Sequence, residues 1–317
     1  MAVQNADIAA LWDAGMLNAG FLVVRPFPLS QQLYEMVREI TSRRRISDQT
    51  ALNKAIRMLK RRRSRDGGVL RVNVLDRNQF LSGVAYFEKS GTKFPKLLDG
   101  SEASNKSIHP LVIHNNWIVG KEAKVYRFRE HLMWLYDGHD QYYTSETRKY
   151  LTYVNAKPNT SNFRRKDVTE RELSTLKTAL AIGHLLNRVV ILPIFHCGAA
   201  YQQCPLNSIV HIKTFDLMFA GRYRESSFLR HPKVPDSVKQ GSTNSQLILD
   251  VNQTSDVSVS SADIMRFFNE QSAKVLNISN LQRVRIIGVD NGSAVGEFSS
   301  ILQITFRRSR YRQLKQF

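Results

Sequence analysis

Residues 112–121 of the sequence, Val-Ile-His-Asn-Asn-Trp-Ile-Val-Gly-Lys, combine side chains that could bind a metal diphosphate. The two β-branched residues predict an extended segment, which ends at His114 in a polar loop. A neutral imidazole can bind a divalent metal, Gly120 would let the backbone approach a ligand closely, and Lys121 offers a charge to a diphosphate. The alternative interpretation is a structural turn in which the asparagines cap the backbone, Trp117 packs in the core and Lys121 is solvated.

Three further stretches precede this segment, and each contains polar residues of types that often form binding sites. They are Leu-Asn-Ala-Gly-Phe-Leu-Val-Val-Arg-Pro at 17–26, Ile-Ser-Asp-Gln-Thr-Ala-Leu-Asn at 46–53 and Phe-Leu-Ser-Gly at 80–83. In this order the four stretches resemble the nucleotide-diphospho-sugar transferase family, the glycosyltransferases that include plant rhamnogalacturonan xylosyltransferases and extensin arabinosyltransferases. The resemblance covers about the first half of the chain, to about residue 155.

The resemblance implies roles for residues of the first two stretches. Asn18, Ala19 and Gly20 match the loop that lies beneath the donor sugar. Asp48 and Gln49 match the pair that hydrogen-bonds sugar hydroxyls near the reacting carbon, which makes them the expected catalytic residues. Taken alone, the same residues could form a structural turn and an ordinary helix N-cap. Their occurrence in series with the histidine segment favours a site.

Sugar transfer from a nucleotide diphosphate needs the leaving diphosphate to be stabilised, usually by a divalent metal together with basic groups. In related transferases of the GT-A fold, a histidine completes the metal shell that an Asp-x-Asp motif begins, and His114 matches it. Gly120 and Lys121 would hold the diphosphate, and Mn²⁺ or Mg²⁺ is the expected cofactor. No Asp-x-Asp occurs in the 317 residues. The family carries that motif upstream of the Asn-Ala-Gly stretch, so we expect the nucleotide-binding half of the domain to lie outside this sequence.

The net charge of the chain is +19 at pH 7, with 46 Lys and Arg against 27 Asp and Glu. Such an excess can indicate a nucleic-acid partner, but no zinc-ligand spacing, basic zipper or RNP-type aromatic motif accompanies the basic clusters. A solvated surface that attracts nucleotides is the favoured interpretation, and no nucleic-acid partner is expected. No run of about eighteen apolar residues occurs, and the N-terminus lacks a signal pattern. We therefore expect no membrane span in this chain, and any anchor to lie upstream.

Cys197 and Cys204 are the two cysteines, and their spacing matches neither a CxxC redox motif nor a zinc site. We expect them to lie close enough to bond in an oxidising lumen, because the short segment between them can turn back on itself. Glycosylation acceptors of the form Asn-x-Ser/Thr are compatible with a secretory compartment. They are Asn105, Asn159, Asn252, Asn277 and Asn291. The Golgi lumen is the expected location of the full-length parent.

Hydrophobic periodicity and turn residues predict that helices and strands alternate in the first half of the chain. In chain order we expect a short helix or turn over 8–17, a strand over 21–24, a helix capped by Ser30, a helix capped by Ser47 or Asp48, a strand over 69–75, a turn over 80–83 and the extended segment before His114. Alternating elements of this kind indicate an α/β fold.

The sequence of the second half of the chain predicts a separate α/β module. Proline, serine and basic residues indicate a linker over 156–168, which would end a first domain of residues 1–155. Beyond it we expect a helix that starts at a Thr169–Glu172 capping box, a strand over 189–193, a loop over 240–261, a helix over 262–276 and a strand over 284–289. The unit at 185–193 resembles the nucleotide-fold opening of protein O-fucosyltransferase-like enzymes. The module would span 169–306 and precede a basic tail at 307–317.

These observations predict the C-terminal part of a GT-A-type nucleotide-diphospho-sugar transferase domain, followed by a second, Rossmann-like α/β module of unknown role. The expected activity of the parent is metal-dependent, retaining transfer of a sugar from a UDP-sugar to a glycan or glycoprotein acceptor. A retaining mechanism needs no general base, and no such base is recognisable in the sequence. The alternative is a non-catalytic protein, truncated or a pseudoenzyme, that binds glycans or a partner.

Overall fold

The computed structural model describes residues 5–61, 68–89, 110–138, 140–154, 165–197, 202–240, 246–247, 257–268, 272–279, 281 and 284–287. These residues divide into two compact units. Among the described residues, the first unit lies within 5–118 and the second begins at Val119. The predicted α/β fold class is confirmed, because helices accompany parallel strands in both units.

A β-hairpin begins the first unit, where the sequence predicts a short helix or turn over 8–17. Strand β1 (Ile8–Asp13) pairs antiparallel with β2 (Met16–Val24), and the residues between them, Ala14 and Gly15, have φ of +46° and +86°. Two successive residues with positive φ form the turn that matches the twist of a hairpin. The helix prediction is wrong because a short apolar run, here Ile8–Leu11, fits a buried strand as well as a helix.

The predicted strand over 21–24 is confirmed as part of β2, but it isn't buried on both faces, since Val23 is 41% exposed. Strand β3 (Val72–Val74) pairs parallel with β1 and lies within the predicted strand over 69–75. The resulting sheet has the order β2-β1-β3.

Two helices, α1 (Pro28–Arg44) and α2 (Asp48–Arg61), cover this sheet, and both were expected. Helix α1 begins two residues before Ser30, whose hydroxyl accepts a hydrogen bond from the Phe27 N–H at 3.0 Å. Ser30 therefore lies inside the helix, where it stabilises the first turn, and it is not the residue that precedes α1 as predicted. Helix α2 begins as predicted, because the Ser47 hydroxyl accepts the Thr50 N–H at 3.2 Å. The buried apolar faces of both helices form one core with β1 and β2.

A second, smaller pair of strands in the first unit carries the histidine segment. Strand β5 (Val112–His114) confirms the expected extended segment, and it pairs parallel with β4 (Phe80–Ser82), which places Ser82 opposite His114. The turn predicted over 80–83 is thus wrong. A three-residue strand shows no readable alternation, and its partner lies about 30 residues further along the chain. A short π-helix (Val84–Lys89) follows β4.

The second unit is built on a parallel sheet of five strands. In spatial order these are β10 (Tyr223–Arg224), β7 (Val189–Ile191), β6 (Tyr150–Val154), β13 (Val275–Ser279) and β11 (Gln246–Leu247). Helix α4 (Arg165–Leu185) connects β6 to β7 and packs on both. The other elements are α3 (Lys121–Glu130), β8 (Phe195–Cys197), β9 (Gln202–Cys204), α5 (Ile212–Phe219), α6 (Asp236–Gln240), β12 (Val257–Ser260), α7 (Ser261–Phe268), β14 (Val284–Ile287) and two single-turn 3₁₀ helices, Leu206–Ser208 and Phe228–Arg230.

The division between the units differs from the predicted boundary near residue 155. Strand β6 precedes the predicted linker, yet it pairs with β7 and β13, which follow that linker. Helix α4 begins at Arg165, so Thr169 lies within the helix and not at its start. Positions 155–164 and the predicted basic tail lie outside the described residues.

Other predictions for the second unit have mixed outcomes. The strands predicted at 189–193 and 284–289 are confirmed as β7 and β14. The helix predicted over 262–276 is wrong in its second half, because α7 ends at Phe268 and β13 starts at Val275. The predicted loop over 240–261 contains the short strands β11 and β12.

Candidate active site

A buried carboxylate, Asp13 at the end of β1, is the centre of a hydrogen-bond cluster in the first unit. Its oxygens accept the indole N–H of Trp117 at 2.8 and 2.9 Å. Its Oδ2 also accepts from the side-chain amide of Asn116 at 2.6 Å and from that of Asn18 at 3.2 Å. One carboxylate thus joins the start of β2 to the loop that follows β5.

Asn116 extends this cluster to the third of the sequence stretches. Its amide oxygen accepts the backbone N–H of Gly83 at 2.8 Å, while its amide nitrogen donates to Asp13. Stretches that are separated by tens of residues in the sequence therefore meet at one side chain. Sequence reasoning did not single out Asp13, and the only local signal for it is its position between an apolar run and a tight turn.

The predicted residues Asn18, Gly20 and His114 lie next to each other. A Cβ atom at Gly20 would lie 3.0 Å from the His114 Nε2 and 3.1 Å from the Asn18 Oδ1, so only glycine allows this approach without displacing a neighbour. The Asn18 Oδ1 accepts the Gly20 N–H at 2.7 Å, which fixes the loop. The Phe21 ring lies beside the imidazole, with centroids 6.4 Å apart. Gly20 is exposed, so the space above it is open to solvent.

Ala19 doesn't share this arrangement. Its side chain is partly buried and packs against the hydrophobic core beneath the two helices. Successive side chains of a strand point to opposite faces, and β2 therefore directs Ala19 away from the face that carries Asn18 and Gly20. Any contact of Ala19 with a ligand would have to come from its backbone.

Asp48 and Gln49 form the first turn of α2. Hydrogen bonds from this helix hold Leu17, the residue just before Asn18. The side chain of Asn53 donates to the carbonyls of Leu17 at 2.7 Å and of Gln49 at 2.8 Å, and it accepts the Leu17 N–H at 3.0 Å. The Asp48 carboxylate is exposed and accepts the N–H of Gln49 at 2.7 Å. This stretch therefore caps the helix, and it also presents a carboxylate to solvent.

Gly120 and Lys121 lie in the second unit, where they start α3. Gly120 has φ of +93° and its carbonyl accepts the Lys124 N–H at 3.2 Å. Lys121 is exposed. The carboxylate of Glu122 lies 3.2 Å from the position that a Cβ of Gly120 would take. A helix N-terminus attracts anions, but this negative charge opposes binding of a diphosphate there.

The described residues do not form a complete metal centre. Among them, no three His, Cys, Asp or Glu side chains are grouped so that they could hold a metal ion. His114 offers one ring nitrogen, and the oxygens of the buried Asp13 already accept three donors. Among the described residues, His114 is therefore the one candidate ligand for the expected metal.

A second polar cluster lies in the core of the second unit. The Tyr142 hydroxyl donates to the Glu225 carboxylate at 2.6 Å, and the guanidinium groups of Arg129 and Arg224 lie 3.6 and 4.0 Å from the Tyr142 ring centre. Burial raises the pKa of Glu225. Burial, followed by the negative charge of Glu225, raises the pKa of Glu130 to about 8. Both carboxylates are enclosed, so this cluster is structural core and not a substrate site.

Two further features bear on where the protein works. Cys197 and Cys204 form a disulfide with a Cα–Cα distance of 5.8 Å, which confirms that they are close enough to bond and joins β8 to β9. No helix in the described part of the chain is long and apolar enough to cross a membrane. Of the predicted glycosylation acceptors, Asn277 lies within β13, where its side chain accepts a hydrogen bond from Thr152; the other four lie outside the described residues.

Comparison with known proteins identifies one family. Residues 3–128 match the family model described as nucleotide-diphospho-sugar transferase. No curated protein and no solved structure matches the chain. The matched segment contains every residue that the sequence predicts for the site, from Asn18 to Lys121, together with Asp13. Residues 3–128 are therefore similar to the nucleotide-diphospho-sugar transferase family, in agreement with the resemblance of the sequence motifs.

Proposed function

We propose that this protein transfers a sugar from a nucleotide-diphosphate donor, a UDP-sugar, to a glycan or glycoprotein acceptor, and that the donor sugar binds at the Asp13 cluster. One observation carries the proposal: three stretches of the matched family segment converge on Asp13 and Asn116. At that convergence the exposed Gly20 lies in close contact with the imidazole of His114. The arrangement suits a ligand that needs close contact with the backbone and a few fixed polar groups.

The side chains divide into those that hold the site and those that could contact the sugar. Asn18 and Asn116 use their amide groups on neighbouring protein atoms, so they shape the loops. The exposed carboxylate of Asp48 can accept hydrogen bonds from sugar hydroxyls. The indole of Trp117, 56% exposed, offers an apolar face for a sugar ring while its N–H stays on Asp13.

Retention of anomeric configuration is the stereochemical outcome we propose. An inverting transfer needs a carboxylate or imidazole that takes a proton from the acceptor. In this proposal His114 binds the metal and Asp48 accepts hydrogen bonds from the sugar, so neither is the base. Asp13 is poorly suited to that role, because it is buried and its oxygens already accept three N–H donors. A retaining transfer can do without such a base.

Divalent metal dependence and a Golgi location complete the proposal. Mn²⁺ or Mg²⁺ would stabilise the charge of the leaving diphosphate. His114 would supply one ligand, and the others would come from the diphosphate itself and from residues outside the described segments. The Cys197–Cys204 disulfide supports an oxidising compartment, since such bonds are rare in the cytosol.

The proposal is tested by UDP release from a panel of UDP-sugars with Mn²⁺, using the purified full-length protein. Gly20→Ala should lower the rate by at least about tenfold, since the added methyl would meet His114 and Asn18 at about 3 Å. Gly68→Ala is the matched control, because a Cβ there meets only the Leu29 side chain at 3.7 Å. His114→Ala should raise the Mn²⁺ concentration needed for half-maximal rate. Equal rates for Gly20→Ala and the wild type would refute the site.

A non-catalytic, sugar-binding function is the second candidate. The observation that favours it is the single metal ligand found in the described residues, together with the absence of an Asp-x-Asp motif from the sequence. The two candidate functions predict different results when UDP release and ligand binding are both measured. The wild type would bind UDP-sugars or glycans in calorimetry but would release no UDP, and Gly20→Ala would weaken that binding.

A further inference from the structure

A pocket of about 660 Å³ lies in the first unit, beside the end of β2 and the first turns of α1. The volume is that of a site for a small molecule or for one part of a longer ligand. Val24 follows Gly20 on β2 at roughly 13 Å along the strand, so the pocket is separate from the Asp13 cluster within the same unit. The lining residues are Val24, Pro26, Ser30, Gln31, Tyr34 and Glu35.

Hydrogen bonds fix the backbone wall of this pocket. The Arg25 N–H donates to the Asp7 carbonyl at 3.0 Å, and the Phe27 N–H donates to the Ser30 hydroxyl at 3.0 Å. That hydroxyl lies 2.7 Å from the Arg25 carbonyl oxygen and 2.8 Å from that of Phe27, so it can donate to either. The ring of Pro26 restricts the backbone between them. The wall is therefore preformed, and its contacts occupy the Ser30 hydroxyl.

Three side chains on one face of α1 supply the other polar groups of the pocket. Gln31, Tyr34 and Glu35 have the i, i+3, i+4 spacing that makes side chains neighbours on a helix surface. All three residues are exposed, Tyr34 to 47%. Within the described part of the chain, none of the three side chains forms a hydrogen bond or an ion pair. An amide, a phenol ring and a carboxylate are therefore available to a ligand at neighbouring positions.

The charge of the pocket disfavours ionic ligands. Among the described residues that line it, Glu35 is the one charged group and none is cationic. An anion such as a phosphate would meet this carboxylate without a cation in the lining to compensate it. A cation is disfavoured by the chain as a whole, because the net charge is +19. These two effects together favour a neutral ligand.

A neutral sugar residue matches the chemistry of the lining. Its hydroxyls can donate to the Glu35 carboxylate and can both donate to and accept from the Gln31 amide. The C–H face of a sugar ring is apolar, and the lining offers apolar surface from Tyr34, Val24 and Pro26 for it. A wholly apolar ligand fits less well, because it would remove water from the amide and the carboxylate without replacing their hydrogen bonds.

We propose that this pocket binds one neutral sugar residue of the acceptor glycan, with Tyr34 against the sugar ring and Gln31 and Glu35 on its hydroxyls. The proposal rests on the transferase function proposed above, because it takes the acceptor to be a glycan. A single sugar does not extend over the roughly 13 Å between this pocket and Gly20. The pocket would therefore hold a residue of the acceptor that is remote from the reacting one, and it would add affinity for the glycan chain.

The test is isothermal titration of the full chain with hexasaccharides of glucose, xylose, mannose and arabinose, without nucleotide or metal. At least one should bind, and Tyr34→Ala/Glu35→Ala should weaken that binding by at least about tenfold, because a ring contact and a charged hydrogen bond are lost. Both residues are exposed on a helix and alanine favours helices, so the fold should be kept. Circular dichroism checks this.

Tyr136→Ala/Glu146→Ala is the matched control. It removes the same two residue types from exposed positions of the second unit, so its net charge equals that of Tyr34→Ala/Glu35→Ala. The control should bind the hexasaccharide as the wild type does. Tyr34→Phe keeps the ring and should bind within about threefold of the wild type, because it loses at most one neutral hydrogen bond.

Absence of binding to all four neutral hexasaccharides would overturn the proposal. Equal affinities of the wild type and Tyr34→Ala/Glu35→Ala would do the same, and so would an equal loss in both double variants. Hexamers of glucosamine and of galacturonic acid test the charge assignment. Tighter binding of either than of every neutral hexamer, with the same loss in Tyr34→Ala/Glu35→Ala, would overturn the assignment to a neutral sugar.

The result is separable from the test of sugar transfer. Glycan binding that depends on Tyr34 and Glu35, in a protein that releases no UDP from any donor, would refute the transferase function and leave the sugar site in place. UDP release by a protein whose glycan binding is unchanged in Tyr34→Ala/Glu35→Ala would refute the sugar site and leave the transferase function in place.

Discussion

The two polar clusters, around Asp13 in the first unit and around Glu225 in the second, use buried carboxylates in opposite ways. Asp13 accepts three N–H donors, one from the start of β2 and two from the loop that follows β5, and its neighbours Trp117 and Gly20 reach solvent. Glu225 is enclosed by aromatic rings and guanidinium groups of the core. Burial alone therefore does not mark a site. We propose a site around Asp13 and not around Glu225 because the neighbours of Asp13 reach the surface.

The largest loss of stability is expected from breaking the cluster around Glu225. Arg224→Ala removes a fully buried side chain that donates to the carbonyls of Tyr142 and Tyr223, and it removes one of the two cations that act on the buried Glu225. It should therefore destabilise the second unit by about 4 kcal/mol. Urea denaturation measures the change. The control is Arg266→Ala, which removes an exposed arginine paired with Asp263 and should cost less than about 1 kcal/mol. Similar midpoints for the two variants would show that the cluster is not a source of stability.

A smaller loss of stability is expected from breaking the Asp13 cluster. Asp13→Ala leaves the N–H groups of Asn18, Asn116 and Trp117 without their acceptor and should cost roughly 3 kcal/mol, confined to the first unit. Amide hydrogen exchange should show faster exchange in residues near β2 and β5 but not in the second-unit sheet. The exposed Asp76, which accepts one N–H bond from Asn78, supplies the control Asp76→Ala. Unchanged exchange in Asp13→Ala would contradict the central role of this carboxylate.

The cluster around Glu225, which includes Glu130, should also make the stability of the second unit depend on pH. Burial raises the pKa of Glu130 to about 8, so the folded state keeps a proton that the unfolded state releases at a lower pH. The stabilisation is present in acid and is lost as pH rises through the folded pKa of Glu130. Between about pH 6 and about pH 8 the second unit should lose roughly 2 kcal/mol. Glu130→Gln should remove this slope, while Glu146→Gln at an exposed position should keep it. A slope that persists in Glu130→Gln would assign it to other groups.

The smallest change tests the exposed side of the first-unit site. Asp48→Asn keeps the volume and the capping ability of the side chain, but it loses a charged hydrogen bond to a sugar hydroxyl. If the protein acts as we propose, its turnover should fall about tenfold, which corresponds to about 1.4 kcal/mol. Circular dichroism should remain unchanged. If Asp48→Asn and Asp76→Asn both turn over at the parental rate, Asp48 is a helix cap and nothing more.

The sequence predicts elements whose determinants are local. Helix α2 has a capping serine and a repeating apolar face, and its start agrees with expectation. The grouping of Asn18, Gly20 and His114 was also foreseeable, because the order of motifs implied it. Asp13 was not, since its partners Asn116 and Trp117 lie more than 100 residues away. No periodicity encodes a hydrogen bond of that separation.

The errors have the same physical origin. Strand β4, predicted as a turn, is three residues long and is defined by its pairing with β5, which the sequence does not display. The compact units divide earlier along the chain than the predicted domain boundary, which follows β6. Its neighbours β7 and β13 follow the predicted linker and assign it to the second unit. Linker composition marks a flexible segment, but it does not show which strands pair across it.

The position of β6 in the middle of its sheet has a consequence for synthesis of the protein. One edge of β6 pairs with β7 soon after that strand is made, but the other edge waits for β13, which begins at Val275, about 120 residues after β6 ends. At ribosomal rates that interval is roughly 10 s. During this time the backbone edge of a strand with the buried side chains Leu151 and Tyr153 is open to pairing with other chains. The nascent chain would therefore gain from a chaperone that covers this edge until residue 279 has emerged.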